Sequence, residues 1–199
     1  MIIDFSKLSS SEIYHTMTQT IIPRPIAWVI SEHENGKLNL APFSYFNAVC
    51  SDPPILSLSV GLKRDGSKKD TWRNIEERSH FVVQIPRVEQ MDMVLKSADA
   101  LDHDASEIEH CHLELTPFEG SPVPRLKAAP IAFYCVKHDI IEVGHGPQGL
   151  ILGEIQTVYL DDQVAIMEAD SPIPRVSTKD VHPLARLGSK GGFAKVETI

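Results

Sequence analysis

Residues 23–74 read PRPIAWVISEHENGKLNLAPFSYFNAVCSDPPILSLSVGLKRDGSKKDTWRN, and the order of signals within them decides the fold. Ile26 to Ile30 is a run of β-formers around a tryptophan. It is followed by Asn35-Gly36, the strongest short-range hairpin signal, and by Leu38 to Ala41 in extended sequence again. The chain then reads as a proline-marked crossing loop, because Pro42 excludes a central strand position at its own site. Ile55 to Val60 alternates, with Leu56, Leu58 and Val60 on one face and Ser57 and Ser59 on the other. A basic loop follows, and Trp72 to Arg78 is predicted helical with Asp70 or Thr71 as its N-cap.

Two clusters here carry chemistry. Ala41-Pro42-Phe43-Ser44-Tyr45-Phe46-Asn47 packs small, hydroxylic, amide and aromatic side chains into one short stretch. Such a composition suits the wall of a planar heteroaromatic ligand, with aromatic faces covering its rings and polar groups bonding its edge, although aromatic side chains also simply fill cores. In the second cluster Lys63, Arg64, Lys68 and Lys69, with Ser67, Thr71 and the backbone around Gly61 and Gly66, converge on a helix N-terminus. Unpaired N–H groups and the helix dipole favour an anion there; a solvated charged loop is the bland reading of the same run. It is not a nucleoside-triphosphate P-loop, since Ser67 precedes Lys68 where that motif needs Gly-Lys followed by Ser or Thr. A ring-edge site, a strand with a polar face and a phosphate nest in sequence suit an organic mononucleotide.

Pro23-Arg24-Pro25-Ile26-Ala27-Trp28-Val29, Asn39-Leu40-Ala41-Pro42-Phe43-Ser44, Asp52-Pro53-Pro54 and Lys69-Asp70-Thr71 with Asn74-Ile75 resemble the flavin reductase-like, FMN-binding split-barrel family. Ile141-Glu142-Val143-Gly144, Leu152-Gly153-Glu154 and Pro183-Leu184-Ala185-Arg186-Leu187-Gly188 resemble its later strands and C-terminal element, so the likeness covers nearly the whole chain. The resemblance implies a mainly β fold, a six-stranded antiparallel Greek-key split barrel with peripheral helices, forming a homodimer with FMN near the subunit interface. It assigns Ala41, Pro42, Ser44, Tyr45, Phe46 and Asn47 to the flavin ring and Ser59 to the ligand face of its strand. Arg64, Ser67, Lys69 and Thr71 would hold the phosphate. The activity implied is hydride transfer from NADH or NADPH to flavin, with a monooxygenase or other acceptor downstream. His145, in the turn Gly144-His145-Gly146-Pro147-Gln148-Gly149, matches a histidine that some relatives place near the nicotinamide or flavin ring, and it equally suits a solvated turn. Where the family often has a tyrosine after the C-terminal glycines, this chain has Phe193, which can stack but not donate. Two other classes fit the same residues: a non-enzymatic FMN-binding electron-transfer module, and an oxidase on the related pyridoxamine-phosphate oxidase barrel.

The remainder is consistent with one domain. At 199 residues, 42% hydrophobic and 23% charged, the chain can build a sizeable core. Its 19 Lys plus Arg against 27 Asp plus Glu give a net charge of −8, which would repel a polyanionic backbone and argues against nucleic acid. Cys50, Cys111 and Cys135 form no CxxC pair, no signal peptide is visible, and no run approaches the roughly 20 apolar residues of a membrane span, so a cytoplasmic protein is expected. Residues 1–22 read as an N-terminal arm with a short helix starting near Ser9 to Ser11, and 172–199 as a C-terminal extension. His80 to Ile85, Ala132 to Lys137, Ile140 to Val143 and Ile151 to Leu160 read as strands, and Val88 to Ala98 as an amphipathic helix of about three turns. His103, His110, Cys111 and His112 are metal-ligand types without the spacing that clamps an ion, and no metal is expected.

Overall fold

The computed structural model describes residues 1–99, 101, 106–188 and 192–197. In chain order the elements are α1 (Ser10–Thr20), β1 (Arg24–Pro25), β2 (Ala27–Glu32), β3 (Leu38–Phe43), β4 (Phe46–Ser51), β5 (Pro54–Val60), α2 (Asp70–Arg78) and β6 (His80–Ile85). There follow α3 (Met91–Lys96), α4 (Glu107–His110), β7 (Leu115–Thr116), β8 (Arg125–Leu126), β9 (Ile131–Val143) and β10 (Gln148–Leu160). The chain ends in β11 (Ala165–Ile166), β12 (Arg175–Val176), α5 (Thr178–Val181), β13 (Leu184–Leu187) and β14 (Gly192–Lys195).

Ala27 to Ile30 are all fully buried, which a strand achieves only when both its faces are covered. Strand β2 sits inside an antiparallel sheet of order β3-β2-β6-β9-β10-β5-β4. Its hairpin to β3 turns at Gly36, whose φ of +81° is available to glycine without strain. The two edge strands of that sheet, β3 and β4, are consecutive in the chain and separated only by Ser44 and Tyr45. Two residues cannot cross an open sheet, so the sheet curls until its edges meet at that corner. The Ser59 N–H, donating to the Tyr45 carbonyl at 2.9 Å, pins the corner to β5. This is the mainly β, antiparallel split barrel, with seven strands in the main sheet where six were expected.

Alternation along β2 feeds two cores. Ala27 and Val29 point into the barrel with Leu58, Val60, Phe81 and Ile151, and Trp72 and Ile75 of α2 close that interior. Trp28 and Ile30 point outward to Val94 of α3, Ile108 of α4 and Leu184 of β13. Burying Trp28 is compatible with its polar atom because the indole N–H donates to Ser97 Oγ at 2.8 Å.

Several expectations are corrected. The stretch after Ala41 is mostly strand, not crossing loop, because β3 runs through Pro42 to Phe43 and β4 follows at once. Pro42 is tolerated there because β3 is an edge strand, paired only with β2. The helix after Val88 is shorter than three turns, since α3 ends at Lys96 and Ser97 turns its hydroxyl back to the Val94 carbonyl. Residues 131–143 form one strand, carried past Lys137 by register shifts against β10. Helix α1 starts as expected, with Ser9 and Glu12 forming a capping box.

Candidate functional site

The barrel seam and the start of α2 bring the two sequence clusters together. Ala41, Pro42 and Ser44 lie at the end of β3 and in the corner, all partly exposed. Across β5, Tyr45 is bonded opposite Ser59, Phe46 pairs with Leu58 and Asn47 pairs with Ser57. Ser57 and Ser59 are half-buried between the buried Leu56, Leu58 and Val60, as alternation predicted. The seam thus stands beside the end of β5 that runs directly into the basic loop. Burial, followed by the neighbouring Tyr14 phenol, pushes the Tyr45 hydroxyl above its usual value and keeps it a neutral donor.

The loop is a tight reversal, with the Lys63 N–H donating to the Ser67 carbonyl at 2.7 Å and Gly66 at φ +84°. Helix α2 begins differently from expectation. Lys69 is the N-cap, with no side-chain cap hydrogen bond, and Asp70 is already helical. The Asp70 carboxylate is occupied by Lys63 at 2.8 Å and Arg73 at 2.7 Å, which removes it as a cap. Burial raises its pKa, but these cations outweigh burial and hold it below the usual carboxylate value. The N-cap of α2 therefore supplies no side-chain acceptor to the helix start, which favours an anion there.

Not every predicted phosphate ligand is equally available. Arg64 and Lys69 are exposed, and neither forms an ion pair among the described residues, whereas Lys68 is drawn to Glu76 at 2.7 Å and lies 4.9 Å over the Trp72 ring. The Ser67 N–H and hydroxyl both donate to Asp65 Oδ1, at 2.9 and 2.6 Å. Thr71 faces inward, 1% exposed, and its hydroxyl accepts from Asn39 Nδ2 at 2.9 Å. Asn74 Nδ2 donates to Ser31 Oγ at 3.1 Å, so a buried polar group fastens the first turns of α2 to β2 and β3. What Thr71 presents at the helix end is its backbone N–H.

His145 sits exposed at the tip of the β9–β10 hairpin. Gly149 pairs with Val60, and Lys68 reaches Glu142 at 3.8 Å, so this tip stands past the end of β5 on the side of the basic loop. His110 and His112 are exposed on either side of the buried Cys111, and His103 lies outside the described residues. Among the described residues no group of three or more His, Cys, Asp or Glu is arranged to hold a metal.

A cavity of about 210 Å³ is lined by Pro42, Phe43 and Ser44 together with Arg186, Gly188 and Phe193 at the C-terminal strands. Two arginines line it that sequence reasoning left without a role, Arg24 and Arg186. Arg24 donates to Ser44 Oγ at 3.3 Å and to the Gly188 carbonyl at 3.0 Å, tying seam to C-terminus. A signal for it existed: an arginine between two prolines is held in extended backbone.

Comparison with known proteins follows the same line. The family described as "Flavin reductase like domain" matches residues 17–170. The uncharacterized protein YwrF of Bacillus subtilis is 33% identical over 185 residues, 91% of this chain and 88% of that protein. Among solved structures, nitrilotriacetate monooxygenase component B from Bacillus cereus superposes with a TM-score of 0.91 at 32% identity, covering 100% of this chain and 96% of that one. The 2-nitrobenzoate 2-nitroreductase NbaA of Pseudomonas fluorescens gives a TM-score of 0.87 at 29% identity, covering 100% and 94%.

Proposed function

The chain belongs to the flavin reductase like family of flavin-related oxidoreductases, and on that premise we propose that it binds FMN and takes hydride from NADH or NADPH. The observation that carries this reading is the uncapped start of α2, flanked by Arg64 and Lys69, directly beside the aromatic seam. Bound flavin supplies the redox chemistry at its ring. The protein's residues bind and orient. Arg64, Lys69 and the first N–H groups of α2 hold the phosphate, with Ser67 free to turn to it by releasing Asp65. Ala41, Pro42, Ser44, Tyr45, Phe46 and Asn47 line the ring and its edge, and Ser59 stands behind them on β5. His145, on the loop side, meets the polar end of the cofactor before the ring. Because binding and orientation suffice for a hydride transfer between stacked rings, the site needs no acid–base pair.

The likeness to a monooxygenase component B supports an oxygenase as the partner that uses reduced flavin. A second copy of the chain would cover apolar side chains left exposed on the sheet, Val49 of β4, Ile141 and Val143 of β9 and Val158 of β10, each 42% or more exposed. Light scattering should then report a dimer; a monomer at micromolar concentration would remove that part.

The test of activity is anaerobic mixing of FMN-loaded protein with NADH and with NADPH, following the flavin band. Bleaching far faster than that of free FMN supports the reductase and names the donor. Flavin that binds but stays oxidised with both sinks it, leaving a protein donor or an organic substrate.

A further inference from the structure

Arg24 is 5% exposed, and its guanidinium donates to Ser44 Oγ at 3.3 Å and to the carbonyls of Thr18, Ile21 and Gly188. All four acceptors are neutral, and no carboxylate pairs with Arg24 among the described residues. Buried charges are ordinarily paired, because the hydration they lose must be replaced. Here the bonds fix the group but leave its charge to act through a wall that water barely reaches. That charge extends across the corner to Tyr45, whose pKa burial and Tyr14 raise and Arg24 draws back. Ser44 is oriented by the same contact. An arginine has donors and no acceptor, so Ser44 Oγ accepts and its own proton remains to be donated. No acceptor among the described residues takes it. Arg24 and Ser44 both line the cavity of about 210 Å³ beside the seam, so a donor backed by a cation faces that space.

We propose that Arg24 raises the redox potential of the bound flavin, holding Ser44 as a donor to the ring edge with one uncancelled positive charge behind it. This role rests on the FMN reading above. When a nicotinamide passes a hydride to flavin, two electrons and a proton move together: the flavin ring gains a negative charge and the nicotinamide ring a positive one. A fixed cation and a donor aimed at the ring edge both favour the charge that develops there. The oxidised ring is neutral and gains far less from either. The phosphate does not supply this counter-charge, since its place is at the start of α2 with Arg64 and Lys69. Arg24 acts through Ser44 and through its field, which makes it a positioning residue.

Redox titration of the FMN-loaded full chain against a dye of known potential tests this. The potential of bound flavin reports the ratio of its affinities in the reduced and oxidised forms. A site that is merely loosened loses both alike and leaves the potential where it was. Arg24→Gln should lower the midpoint potential by about 30 mV or more, a tenfold loss in that ratio for a two-electron couple. Arg24→Lys keeps the charge and should retain most of the parent value. Ser44→Ala, at the partly exposed corner, should lower the potential by a smaller amount. A potential unchanged in either Arg24→Gln or Ser44→Ala overturns the inference, the second without needing any variant of Arg24 to fold. An equal fall in the Lys and Gln variants overturns it as well. Protein that takes up no FMN sinks the flavin reading and this role together, whereas FMN that binds with a potential indifferent to these substitutions sinks the role alone.

Discussion

Gly153 is a residue at which packing leaves no room for a side chain. A β-carbon there would sit 2.4 Å from the tip of the fully buried Phe81 ring, so one of the two must move. Gly153→Ala should cost about 1–3 kcal/mol, the usual penalty of overpacking a filled core, read as a lower urea midpoint with an unchanged slope. Glu107 tests electrostatics instead. Its carboxylate accepts from the Leu40 N–H at 3.1 Å and so covers part of the β3 edge, but burial dominates and raises its pKa. A carboxyl with a raised folded-state pKa contributes most stability below its unfolded value and loses it as pH rises through the folded one. Glu107→Gln keeps the acceptor and discards the buried charge. The variant should match or exceed the parent protein at neutral pH, and the difference should fall away below the carboxylate range. A large loss at neutral pH would show that the charge itself is needed. Neither role was legible in the sequence: Gly153 reads as one glycine in an apolar run, and Glu107 as one acid in an acidic connection.

Among the elements, α2 matters most because it serves two masters, closing the barrel with Trp72 and Ile75 and presenting its N-terminus to solvent. The buried Asn39, Ser31, Thr71 and Asn74 side chains set where that terminus stands. Asn39→Ala removes the donor to Thr71 and leaves polar atoms unpaired in the interior, a change worth about 1–3 kcal/mol. Because it loosens the phosphate end of the site and not the seam, it should weaken FMN more than riboflavin; equal weakening of both would count against that division. Sequence pattern located this helix well, since its amphipathic face is strong and local. It misplaced the cap because Asp70 is a good N-cap by type, and only its ion pairs, to Lys63 in the preceding loop and to Arg73 one turn along the same helix, show why it is not one. Local pattern divides β9 at His138 and Asp139, whereas a register shift against β10 carries the strand through them.

For the whole molecule, the decisive fact is that the sheet closes where Ala41 to Asn47 lies. Strand by strand, most of the barrel is written in local alternation, and the corner residues were picked out by composition. Which edges meet is not written locally, because it depends on pairings such as β10 with β5, remote in the chain. That also hid the cavity arginines, since Arg24 and Arg186 become neighbours only when β1 pairs with β13. The assembled fold sets two exposed cations and an uncapped helix in a chain of net charge −8, a local invitation to an anion on an otherwise acidic body. The most direct measurement is therefore a fluorescence titration of the protein with FMN and with riboflavin, which differ only by the phosphate. The account predicts that FMN binds at least about tenfold more tightly and that Arg64→Ala with Lys69→Ala removes the advantage. Equal affinity for the two flavins, or an advantage that survives the double substitution, would contradict it.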